Sequence, residues 1–221
     1  MEIAKLVVAA AFGLLPTLIW LVFFLREDAK PEPGREVLKF FLLGGFMAAS
    51  SAILIEFWLK GVFVKFNIAE FSILGLLVFA LIEETTKFLS ARVLLRRDKY
   101  FREPIDGMIY LITVGLGFAA IENFFELAGS ALSAIPDLVI LRFIGATLLH
   151  AIASGFVGYY WMRGRALRGL FVATLIHTSF NWLVLGFPGL PIYPSIILVV
   201  AAIFLLRDFD IIKTIKEKII A

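Results

Sequence analysis

Residues 71–95 read FSILGLLVFALIEETTKFLSARVLL, and this run decides the fold. At about 1.5 Å per residue it is long enough to cross a bilayer as one helix. Glu83, Glu84 and Lys87 nevertheless stand in its middle. On an insertion scale each central charge costs roughly 2.5 to 3.5 kcal/mol, while each Leu, Ile, Phe or Val returns roughly 0.3 to 0.6 kcal/mol. The run's fourteen residues of the second kind barely offset three charges, so this helix cannot turn them toward lipid. They must face a protein interior or a wet cavity, where ionisable groups are functional candidates by default.

Lys87 follows Glu83 by four residues and Glu84 by three, within reach of both around a helix. The spacing predicts one carboxylate paired with the lysine and a second whose protonation is negotiable, because two carboxyls in a poorly solvated place do not both ionise easily. Such a group suits general acid or base work. The competing reading is a structural ion pair that tethers the helix to a neighbour.

The rest of the chain extends the membrane reading. Of 221 residues, 61% are hydrophobic and 18% charged, too apolar for a soluble domain of this size. The expectation is an all-α, polytopic transmembrane bundle of about seven spans, a single transmembrane domain over residues 1–221. Its core spans cover 71–186, and a short amphipathic tail helix covers 207–221. The spans are placed at about Ile3–Leu25 (a retained helix), Val37–Leu59, Phe71–Leu95, Ile105–Leu127, Leu138–Met162, Leu170–Gly186 and one ending at Leu206. In the tail, Ile211, Ile212, Ile215 and Ile219 share one face and Lys213, Lys216, Glu217 and Lys218 the other, a pattern suited to lying on the bilayer surface. Cysteine is absent, which excludes disulfides and thiolate metal sites.

The basic residues orient the bundle. Arg26, Lys30, Arg35, Arg96, Arg97, Lys99, Arg102, Arg163, Arg165, Arg168, Arg207, Lys213, Lys216 and Lys218 fall on one side, against Lys5, Lys60 and Lys65 on the other. That bias puts the N-terminus outside and the C-terminus in the cytoplasm. The net charge of +3 is therefore an orientation signal, and no nucleic-acid partner is implied. Trp58, Trp161 and Trp182 near span ends, with Trp20 slightly deeper, suit interfacial anchoring.

Other polar residues share the depth of the Glu-Glu pair. Phe118, Glu122 and Asn123 lie on the fourth span, His150 on the fifth, and His177 and Asn181, one turn apart, on the sixth. Each has a structural reading, with Glu122 as a partner for Arg142 and Asn181 as interhelical glue. Together four helices deliver Glu83, Glu84, Glu122, His150, His177 and Asn181 to one slab in the middle and outer half of the bilayer. Gly115, Gly117, Gly155 and Gly158 would permit the close packing this needs. Imidazole and carboxylate suit Zn²⁺, with Glu122, His150 and His177 as candidate ligands. Without metal, a carboxylate can activate water while His177 and Asn181 stabilise an oxyanion. No serine stands in a recognisable nucleophile motif, so hydrolysis by activated water is the most economical chemistry.

The E-E-x-x-K of Glu83, Glu84 and Lys87, the D-G-M-I-Y, G-L-G-F and F-x-x-x-E-N pieces between Pro104 and Asn123, His150, and the H-x-x-x-N of His177 and Asn181 occur in an order that resembles the PrsW membrane proteases. These belong to a superfamily with the CAAX-prenyl endopeptidases and bacteriocin-processing proteins. The resemblance implies a metal-type endopeptidase of the cell membrane in which Glu83 and Glu84 are catalytic and His150, His177 and Asn181 complete the site, with Lys87, Phe118, Glu122 and Asn123 supporting. In the CAAX branch a histidine stands where this chain has Glu122. The implied partner is a single-span or membrane-associated protein substrate such as an anti-sigma factor. Two other classes compete with this reading: a proton- or ion-coupled transporter using Glu83, Glu84 and Glu122 as a relay, and a non-catalytic scaffold that binds partner helices in the same cavity.

Overall fold

The computed structural model describes residues 2–96 and 100–220, with side chains to residue 214. Arg97 and Lys99 of the charge count, and the side chains of Ile215, Ile219, Lys216, Glu217 and Lys218, lie outside that set. Every regular element among the described residues is a helix. α1 is Glu2–Leu25. α2 (Gly34–Lys39) and α3 (Gly45–Lys65) join through a π-helical turn, Phe40–Gly44, into one long rod. α4 is Ile73–Leu95, α5 Pro104–Gly129, α6 Ile135–Ile144, α7 Ala146–Met162, α8 Ala166–Gly186 and α9 Ile192–Ile220. Five segments are long and apolar enough to cross a membrane: Glu2–Leu25, Gly34–Lys65, Pro104–Gly129, Leu132–Met162 and Ala166–Gly186. The protein is a multi-pass helical membrane bundle.

α5 is the axis of the bundle. Its first turn is set by Pro104, whose missing N–H is no loss at that position, and by a reciprocal cap with Glu103. Asp106 Oδ2 accepts from the backbone N–H of Arg102 and of Glu103, both at 2.7 Å. From there the helix is buried almost continuously to Ala120. One face (Met108, Ile112, Leu116) packs on Leu149, Ile152 and Phe156 of α7 and on Leu205 and Phe209 of α9. The other (Tyr110, Leu111, Val114) packs on Phe40, on Ala48 and Ala52 of α3, and on Phe88 and Ala91 of α4.

Lipid tails are as apolar as leucine, so these contacts hold by dispersion at close range rather than by expulsion of water. Two glycines set that range. A Cβ on Gly158 would lie 2.7 Å from the Gly107 carbonyl oxygen and from the Met108 Cα, where α7 crosses α5. A Cβ on Gly45 would lie 2.6 Å from the Gly117 Cα, where α3 crosses it.

The chain departs from the expected spans in two places. Leu138–Met162 is not one helix, because the backbone breaks at Gly145, separating α6 from α7. The break is held by tertiary partners. Trp20 of α1 donates its Nε1–H to the Phe143 carbonyl at 2.8 Å and stacks on the Phe143 ring at 5.4 Å, while Arg142 is drawn back toward α5. The tail is also not a separate helix. Residues 207–220 continue α9, because Phe209 and Ile212 are buried in the core and Lys213 bridges Glu27 at 2.8 Å.

Candidate functional site

Ser72 caps α4, its Oγ accepting the Gly75 N–H at 3.2 Å. Helical periodicity then places Glu83, Glu84 and Lys87 on the side that faces the bundle. Lys87 is fully buried and Glu84 nearly so. The Lys87 ammonium donates to Glu84 Oε1 at 2.8 Å, lies 3.4 Å from Glu83 Oε2, and sits 4.2 Å from the centre of the Phe118 ring. It also reaches across to α7, 2.8 Å from Nδ1 of His150. An ammonium has only donors, so Nδ1 accepts and the His150 proton resides on Nε2. That Nε2–H is given to Glu122 Oε2, 2.8 Å away on α5.

His177 on α8 closes the site from the other side. Its Nδ1 is 2.9 Å from Glu84 Oε1, and the two imidazole rings stand nearly perpendicular with centres 5.2 Å apart. A carboxylate accepts, so Nδ1 carries a proton, and Nε2 faces Glu83 Oε2 at 3.9 Å. The outcome is one hydrogen-bonded chain: Arg142, Glu122, His150, Lys87, Glu84, His177. Arg142 joins it from α6 through Nη2 to Glu122 Oε2 at 2.8 Å. Glu84 Oε2 is buried with no partner among the described residues.

Glu83, Glu84, His150 and His177 each offer a ligand atom within 4.8 Å of the others. Carboxylates and imidazoles are the donors a divalent transition metal takes. The unpartnered oxygen of Glu84 and the Nε2 of neutral His177, which makes no hydrogen bond among the described residues, leave coordination capacity inside the bundle, so the set fits such an ion once the Lys87 ammonium yields its place. The sequence reading grouped Glu122 with the two histidines. The structure sets it behind His150, on Nε2, and brings Glu83 and Glu84 to the group instead. A carboxylate in that position fixes a ligand's tautomer and ring orientation.

Asn123 knots four helices. Its Nδ2 donates to the Gly13 carbonyl of α1 and to Thr147 Oγ1 of α7, both at 3.1 Å, and its Oδ1 accepts from Arg142 Nε of α6. Asn181, half-buried one turn after His177, makes no hydrogen bond among the described residues. Phe118 is the floor under Lys87.

Sequence reasoning missed Glu56. It sits on α3 near enough to Glu83, Glu122, Lys87 and His177 to feel their charges, with Oε1 buried and without a hydrogen-bond partner among the described residues. The signal was available, since an acid inside the run Val37–Leu59 meets the same cost that singled out Glu83.

A polytopic helical bundle with a buried carboxylate–imidazole donor group, drawn from separate helices, defines a membrane-embedded protein with a metal-competent polar centre. The chain belongs to the PrsW family of intramembrane metalloproteases, whose model matches residues 32–206. Among curated relatives, "Protease PrsW" of Clostridioides difficile strain 630 is 31% identical over 153 residues, 67% of this chain and 62% of that protein. The match therefore spans less than two thirds of that relative. "Protease PrsW" of Oceanobacillus iheyensis is 24% identical over 184 residues, covering 79% of this chain and 82% of that protein. "Protease PrsW" of Bacillus subtilis strain 168 is 25% identical over 172 residues, 73% of this chain and 75% of that protein. No solved structure matches the chain.

Proposed function

We propose that this protein is a membrane-embedded endopeptidase that hydrolyses a membrane-associated protein substrate, in the outer half of the bilayer on the orientation given by the loop charges. The observation that carries the reading is the convergence of Glu83, Glu84, His150 and His177 from three helices on one buried point. Family membership supports it over the transporter and scaffold readings, and the motif resemblance implies a single-span protein of the anti-sigma-factor kind as the substrate class.

The two glutamates divide the work. Glu84 is sealed, with Oε1 committed to Lys87 and His177, and serves as the anchor that orients both. Glu83 keeps 13% of its side chain exposed, and among the described residues its carboxylate makes no polar contact shorter than the 3.4 Å to Lys87. It is the general base: its carboxylate takes a proton from water as the oxygen attacks the scissile carbonyl carbon, and returns that proton to the leaving amide nitrogen as the C–N bond breaks. Asn181, free to donate, and the Lys87 ammonium stabilise the oxyanion. A Zn²⁺ ion, where bound, would be held by Glu84, His150 and His177 and would supply Lewis acidity at the same point, with Glu83 left as the base. Glu122 and Arg142 keep His150 turned with Nδ1 inward.

The test is cleavage of a single-span candidate substrate in proteoliposomes by wild type, Glu83→Gln, Glu84→Gln and His177→Ala at matched folding. Glu83→Gln is expected to lose about 10²-fold or more with its unfolding midpoint unchanged. Undiminished turnover in all three variants overturns the proposal.

A further inference from the structure

On the other side of α7 and α8 from the acid–imidazole centre, a cavity of about 730 Å³ opens between these helices and α9. Its walls are apolar, with Ile176 and Val172 of α8 facing Val200 and Phe204 of α9. Its floor is different: Arg163 and Arg165 from the turn between α7 and α8, and Arg207 from α9, stand against one acid, Asp208. A smaller hollow of about 290 Å³ continues under Pro104 and shares Arg163 and Arg165. The three guanidinium groups are exposed. Among the described residues none makes an ion pair within 4 Å. Arg163 is steadied by donating to the Tyr159 hydroxyl.

The slot runs along α7 and α8, both in membrane-crossing segments, and its floor lies at the end the loop-charge bias assigns to the cytoplasm. Basic pockets between helices at that level are suited to anionic headgroups, and the volume lies in the range of ligand sites. We infer that this groove binds one anionic phospholipid of the inner leaflet, its phosphate on Arg163, Arg165 and Arg207 and an acyl chain between α8 and α9. Charge selects the occupant. Asp208 offsets one of three cations, which leaves an attraction for a net anionic lipid that a zwitterionic one of equal chain length lacks. Arginine forks also match phosphate oxygens in pairs. Val172 and Ile176 belong to the helix that carries His177, so the lipid buttresses a wall of the catalytic chamber without touching it.

Native mass spectrometry of the full chain in detergent decides the matter, with phosphatidylglycerol and phosphatidylcholine of identical acyl chains titrated in turn and inorganic phosphate as competitor. One phosphatidylglycerol per chain is expected, bound at least tenfold tighter than phosphatidylcholine and not displaced by millimolar phosphate. Each of Arg163→Gln, Arg165→Gln and Arg207→Gln should weaken it about fivefold, the attraction one basic side chain adds near an anionic surface. Arg168→Gln, outside the groove, should leave it unchanged. Val200→Trp should block the slot with every arginine in place. Equal binding of the two lipids, a preference untouched by the triple arginine variant, or full binding in Val200→Trp each overturns the inference.

Discussion

Replacing Lys87 by methionine keeps the volume of the side chain and removes only its charge and its donors. The ammonium it deletes makes two hydrogen bonds of 2.8 Å, to Glu84 and His150, and rests over Phe118 at 4.2 Å. Removing one partner of a buried ion pair costs about 3 to 5 kcal/mol, because the other charge is stranded. Glu84 keeps its bond from His177, so the expected loss is about 3 kcal/mol. Glu84→Gln leaves Lys87 with Glu83 and His150 and should cost about 2 kcal/mol. The double variant strands neither charge of the pair, so its loss should be about 3 kcal/mol rather than the sum of about 5, a coupling of about 2 kcal/mol. Denaturant unfolding in mild detergent, followed by the fluorescence of the four tryptophans with chelator in all arms, measures the cycle. A Lys87→Met variant within about 0.5 kcal/mol of wild type, or strict additivity, would refute the view that this ammonium holds the centre together.

The same ammonium competes with a metal for His150 and Glu84, so Lys87→Met should bind Zn²⁺ more tightly than wild type. Elemental analysis should find about one zinc per chain, lost in His150→Ala and His177→Ala; absence of metal from wild type, or retention in both variants, counts against the donor set. Arg142→Met should lower cleavage about tenfold or more by loosening the carboxylate that orients His150, with faster amide exchange across residues 135–144 than elsewhere. Arg142→Lys restores charge without the two-pronged contact and should recover activity only in part. Gly158→Leu drives a side chain into the α5 backbone and should destabilise by about 3 kcal/mol, read as an earlier unfolding midpoint; an unchanged midpoint would mean that α5 and α7 do not cross there as closely as described.

What the sequence made legible follows from cost. Charges inside Phe71–Leu95 are expensive in lipid, so their inward direction could be read before any fold was known, and the histidines at the same depth followed by the same reasoning. What stayed hidden depends on partners far apart in the chain. No local signal tells that Lys87 meets His150, 63 residues away, rather than only its own helix. The break at Gly145 has one glycine and no proline to mark it, and arises because Trp20 and Arg142 pull α6 toward α1 and α5. Glu56 lies only a few residues from the end of its apolar run, where sequence alone does not separate a buried acid from a solvated one. Asn123 carries no sequence sign of its role as a four-helix knot, which needs Gly13 and Thr147 in place.

That knot has a consequence for dissection of the protein. The family match starts at residue 32, which invites trimming the leading helix as dispensable. Yet Gly13 lends its carbonyl to Asn123 and Trp20 tethers Phe143, so the first helix behaves as a keystone wedged against the arch that carries Arg142. A shortened chain would keep every acid and imidazole of the chamber while losing the brace that keeps them in register.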